Sequence, residues 1–123
     1  MKKAILLVGL GGFAGSICRY LISVYISKYI PSSFPYGTFI ANILGCFIIG
    51  LIFGLGIKQS TLSPEWRIFL ATGFCGGFTT FSTFAYENVK LLQDGYFSTF
   101  LIYSFATFLS GILAVYVGMM LNR

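Results

Sequence analysis

The groups able to do chemistry in this chain crowd into one run, Gly73-Phe74-Cys75-Gly76-Gly77-Phe78-Thr79-Thr80-Phe81-Ser82-Thr83-Phe84. Glycine costs a helix about 1 kcal/mol relative to alanine, threonine is a weak helix former, and Ser and Thr hydroxyls compete for nearby backbone groups. The run therefore predicts an unwound turn. In apolar surroundings the carbonyls and amides freed by unwinding must be met by protein, water or an ion. Carbonyl oxygens are hard ligands suited to a sodium ion, and interrupted membrane helices coordinate cations in this way. The competing reading is a glycine-rich packing kink that holds no ligand.

Beyond the interruption, Thr80, Thr83 and Glu87 recur at helical spacing on one face, while Phe81 and Phe84 lie three apart on another. An aromatic ring edge carries positive quadrupole density and can meet an anion. On composition alone, though, such rings read as lipid-facing. Glu87 is the one acid well inside an apolar run, which makes it a candidate functional group that a water-filled vestibule could serve. Arg19 is the matching cation of the first run, close enough to its end to snorkel to an interface. Asn42 places an amide among apolar residues and needs a hydrogen-bond partner there. Catalysis is not indicated: the chain has no histidine, no paired carboxylates, and no Cys or Ser beside a plausible base. Cys18, Cys46 and Cys75 show no CxxC spacing, so neither a disulfide framework nor a zinc site is expected.

The elements that position these groups follow from composition. Of 123 residues, 57% are hydrophobic and 9% charged, against about 25% charged in soluble domains. A water-facing surface cannot be built from that stock, so the solvent is lipid. The formal charge of +5 is not gathered into a basic face with stacking aromatics, which excludes nucleic acid as a partner. Four apolar runs reach the length of about 20 residues that a bilayer crossing needs, over residues 4–29, 36–57, 64–92 and 97–121. Lys2-Lys3 ahead of the first run resembles a signal peptide, but the run continues too far and reads as a retained first span. Pro31 and Pro35 end that span, and Ser63-Pro64-Glu65 supplies a cap, a first-turn proline and an acid for the third. One membrane domain, residues 1–123, accounts for the chain. A four-helix bundle offers little interior for its polar residues, which argues for oligomerisation. The small-residue steps Gly11/Gly15 and Gly50/Gly54 support close helix approach, between subunits or within one.

Gly76-Gly77-Phe78-Thr79-Thr80-Phe81-Ser82-Thr83-Phe84 resembles the hallmark of the Fluc, or CrcB, family of dual-topology fluoride channels. The likeness extends to Gly11-Gly12-Phe13-Ala14-Gly15-Ser16 with Arg19, to Gly37-Thr38, to Ala41-Asn42-Ile43-Leu44-Gly45, to Glu87 and to Tyr103. It implies an all-α integral membrane protein whose four transmembrane helices include a broken third, assembled as an antiparallel homodimer. It also implies a structural sodium ion at the dimer centre, held by the backbone carbonyls of Gly76 and Thr79 from each subunit. Two fluoride pores would be lined by Asn42, Phe81 and Phe84 with hydroxyls from Thr80, Ser82, Thr83, Tyr103 and Ser110. Arg19, Glu87 and Thr107 are vestibule or structural candidates, Thr107 standing where the family usually has Ser.

The expected function is passive export of cytoplasmic fluoride across the cell (inner) membrane, relieving fluoride toxicity. The alternative is a small four-helix proton-coupled multidrug exporter, but such exporters carry their acid in the first helix, where this chain has Arg19. Lys2, Lys3, Lys58, Arg67 and Arg123 fall on one side of the membrane and Lys28 and Lys90 on the other, a bias that favours one orientation.

Overall fold

In a computed structural model, whose described residues are 1–58 and 62–121, those residues form an all-helical bundle. The first span is α1 (Lys2–Tyr29), the second α2 (Tyr36–Lys58) and the fourth α6 (Phe97–Met120). The third span, Pro64–Gln93, is composite. It opens with α3 (Pro64–Arg67), widens into a π-helical stretch over Ile68–Cys75, tightens into α4 (Gly76–Phe78), breaks at Thr79 and Thr80, and resumes as α5 (Phe81–Gln93). Ser63 starts it by accepting from the Trp66 amide at 3.3 Å, with Pro64 in the first helical turn. All four spans are long and apolar enough to cross a membrane.

The interruption is narrower than the glycine content suggests. Gly73, Gly76 and Gly77 all stay helical, and only the two threonines leave the helix. Gly73 and Gly77 serve packing instead, whereas a Cβ on Gly76 would meet nothing within 4 Å. A Cβ on Gly77 would stand 2.6 Å from the Gly12 carbonyl oxygen, and one on Gly15 would stand 2.9 Å from the Phe78 amide and overlap the Phe74 carbonyl. Gly11 meets Phe69 and Phe74 in the same manner, so α1 lies against the first half of the third span nearly backbone to backbone, in parallel register. Gly50 is likewise pressed on Val115 of α6. The small-residue steps are thus used within one subunit, and they do not themselves argue for a second copy. Packing between backbones gains dispersion contacts that lipid tails cannot match.

Two parallel pairs result, α1 with the first half of the third span and α2 with α6, and α2 runs antiparallel to the third span between them. This arrangement carries Thr38 and Asn42, one turn apart on α2, to the stretch that begins at the break.

Candidate functional site

The site is built on the break. In a continuous helix the Thr80 amide would donate to the Gly76 carbonyl and the Thr83 amide to that of Thr79. Neither does so. Thr80 N donates to Asn42 Oδ1 at 2.8 Å, and Asn42 Nδ2 donates back to the Thr80 carbonyl at 3.1 Å, so one side-chain amide clamps both polar groups of one residue. The Thr83 amide donates to Thr80 Oγ1 at 3.2 Å, which makes Thr80 the N-cap of α5. On the other side of the interruption, Thr79 Oγ1 donates to the Cys75 carbonyl at 2.8 Å. Arg19 Nε donates to the Gly77 carbonyl at 3.0 Å. Arg19 therefore reaches inward to a carbonyl that unwinding has freed, and the expected snorkel to the interface is not its role. Satisfying these groups matters in an apolar setting, where each orphan costs several kcal/mol.

Asn42, Thr79 and Thr80 open onto a cavity of about 630 Å³. The rings of Phe81 and Phe84, with centroids 5.8 Å apart, form one wall. Ser104 and Thr107 of α6 line it with hydroxyls, and the Thr107 oxygen has no hydrogen-bond partner among the described residues. Cys46 adds a thiol. Among the described residues, no charged side chain lines this cavity. Phe81 is 78% exposed, so within one chain its ring is open on one side, whereas Phe84 leans on Tyr103 at 4.9 Å.

Toward the end that carries the α1–α2 connection, Glu87 organises a second polar cluster. Thr38 Oγ1 donates to Glu87 Oε2 at 2.8 Å and Tyr103 OH to Glu87 Oε1 at 2.7 Å. Thr38 and the wholly buried Tyr103 hold that carboxylate against α2 and α6. Glu87 faces two smaller cavities, one of about 320 Å³ beneath Pro31, Phe34 and Pro35, the other of about 410 Å³ beside Lys90 and Asp94.

The candidate residues separate accordingly. Asn42, Thr80, Phe81, Phe84 and Thr107 meet at the large cavity, while Tyr103 and Glu87 meet one another in the second cluster. Thr83 and Ser82 bond to the Thr80 hydroxyl, at 3.2 and 3.3 Å, rather than lining the cavity. Ser110 lies one turn beyond Thr107 on α6 and outside the cavity lining. Sequence reasoning placed Cys46 at a four-residue step from Asn42 but not in the cavity, and did not pick out Ser104 or the bonding of Thr38 to Glu87. The spacing held a signal for each: Ser104 is three residues before Thr107, and Thr38 and Cys46 flank Asn42 at four-residue steps.

The family profile described as CrcB-like protein, Camphor Resistance (CrcB), matches residues 6–119. The chain belongs to the CrcB family. Members named "Fluoride-specific ion channel FluC" align along nearly its whole length. That of Chlorobium phaeobacteroides (strain BS1) is 48% identical over 122 residues, covering 98% of this chain and 93% of the relative. That of Flavobacterium psychrophilum is 47% identical over 122 residues, with 98% of each chain covered. The protein from Azobacteroides pseudotrichonymphae is 45% identical over 123 residues, covering all of this chain and 98% of its own length. Within this CrcB chain the break, its Asn42 clamp and the aromatic wall all fall inside the matched span.

Proposed function

We propose that this chain is a fluoride channel that lets cytoplasmic fluoride escape passively across the cell (inner) membrane and so relieves its toxicity; it is not an enzyme. The observation that carries the reading is the cavity at the break, whose described lining offers hydrogen-bond donors and ring edges and no fixed charge, in a family whose near relatives are named for fluoride. Fluoride is small and strongly hydrated, so a selective path must replace its water with donors at every step. Asn42 uses one amide hydrogen on the Thr80 carbonyl, and its NH₂ group has a second to offer. The Thr107 and Ser104 hydroxyls and the edges of Phe81 and Phe84 continue the series. A lysine or arginine in the lining would hold the ion too firmly to release it.

The working form is an antiparallel homodimer of oppositely inserted subunits, with two pores. The open face of Phe81 suits completion by a second copy. A structural sodium ion fits at the two-fold centre. The Gly76 and Thr79 carbonyls have lost their helical donors, since the amides of Thr80 and Thr83 are bonded elsewhere. When bound, the cation would supply positive charge to those oxygens and tie the two breaks together.

The test is efflux from liposomes loaded with potassium fluoride or potassium chloride, read with ion-selective electrodes. Fluoride should leave rapidly with no proton gradient while chloride is retained. Equal release of both ions would remove selectivity, and transport that needs a pH gradient and Glu87 would replace the channel by an exporter.

A further inference from the structure

At the end of the bundle remote from the Glu87 cluster, α1 and the third span start side by side and run in parallel. Between them is a groove of about 240 Å³ lined by Leu7, Glu65, Trp66 and Phe69. Trp66 stands edge-on to Phe69, with centroids 5.8 Å apart and planes at 88°, and is 57% exposed. Glu65 lines the groove itself, and Lys3, exposed outside its lining, stands one turn before Leu7 on α1. Lys3 precedes Leu7 by four residues, and Glu65 precedes Phe69 by four, so on each helix a charged residue stands one turn above an apolar one on the same face. Lys3 and Glu65 are exposed, at the depth where a span meets water, and an interfacial tryptophan marks the same level. Lys2 adds a second exposed cation beside Lys3. Arg67 is half-buried, with a buried Nε, and is not part of the groove lining.

We propose that this groove is a binding site for a phospholipid whose headgroup carries both a phosphate and a protonated amine. One acyl chain lies along Leu7, Trp66 and Phe69, the phosphate meets Lys3, and the ammonium donates to the Glu65 carboxylate. The occupant is a lipid because the four spans place the groove in a bilayer. Its chemistry is set by charge complementarity: a headgroup with phosphate alone would leave Glu65 opposing it, and a quaternary ammonium has no hydrogen to donate. This site is remote from the break and independent of what the cavity there conducts.

Trp66 is the only tryptophan in the chain, so its fluorescence reports this groove alone. The full-length protein is reconstituted in vesicles in which equal fractions of phosphatidylethanolamine, phosphatidylcholine or phosphatidylglycerol carry brominated chains, and quenching is compared. Brominated phosphatidylethanolamine should compete roughly three- to fivefold better than the choline lipid, the range expected of one interfacial ion pair. Glu65→Gln should abolish that preference, and Lys3→Gln should weaken both lipids, with thermal unfolding in detergent unchanged in each variant as proof of fold. Equal quenching by the ethanolamine and choline lipids would overturn the proposal. So would strongest quenching by phosphatidylglycerol that rises in Glu65→Gln, which would make the groove an anionic-lipid site.

Discussion

Asn42 is the residue on which most depends, because its amide both donates and accepts at Thr80. Asn42→Asp keeps an acceptor for the Thr80 amide but withdraws the donor and sets an anion beside the path. Fluoride efflux from proteoliposomes should fall by at least about 100-fold, since one like charge at close range in a low-dielectric site costs several kcal/mol. Phe81 and Phe84 are expected to part company. Phe84→Ile loses ring packing on Tyr103 as well as an edge for the ion, and should cost about 1 kcal/mol of thermal stability in detergent along with slower flux. Phe81→Ile, at a ring 78% exposed within the subunit, should slow flux with little change in monomer stability. Unchanged efflux in both would detach the rings from the conduction path. These roles were only partly legible in the sequence. An amide in an apolar run announces that it needs a partner, but not that the partner is the backbone of Thr80, thirty-eight positions away. Arg19 was harder still, because a cation near a span end has an interfacial solution as good, locally, as the Gly77 carbonyl it takes.

At the scale of elements, the third span shows how local propensity and tertiary packing divide the work. A helix is expected to fail where its glycines are densest, yet it fails two residues later, at Thr79-Thr80. Gly77 stays helical because α1 comes within touching distance and a side chain would block it, while Thr80 can leave because its own hydroxyl and Asn42 replace the lost bonds. The existence of a break was therefore readable from composition, and its position was set by partners distant in sequence. The π-helical lead-in over Ile68–Cys75 had no composition signal. Close packing can be tested inside α1 with two glycines in the same helix. Gly15→Ala would drive a methyl into the Phe74 carbonyl and the Phe78 amide, backbone atoms that cannot swing aside, and should destabilise the protein by about 2 kcal/mol or more. Gly9→Ala meets nothing within 4 Å and should be neutral or stabilise by up to about 1 kcal/mol through helix propensity. Thermal unfolding of the two variants in one detergent makes the comparison; equal effects would mean that Gly15 is not a packing contact.

For the whole molecule, the arithmetic of orientation bears directly on activity. The ends of α1 and α2 and the start of the third span gather Lys2, Lys3, Lys58 and Arg67 at one side of the bundle, with Arg123 following α6, while Lys28 and Lys90 stand at the other. Short loops bearing lysine and arginine are held in the cytoplasm, so insertion should favour the N-terminus inside. If function requires subunits of both orientations, the minority orientation limits the number of dimers, and excess majority chains are idle. Reducing the bias should then raise activity per molecule of protein. The double variant Lys58→Gln/Arg123→Gln is expected to shift a terminal topology reporter toward the minority orientation. In the same membranes it should increase fluoride efflux per unit of protein in proportion to that shift. A reporter that moves while efflux per unit protein stays constant or falls would show that oppositely inserted pairs are not the conducting species, even if fluoride conduction itself stands.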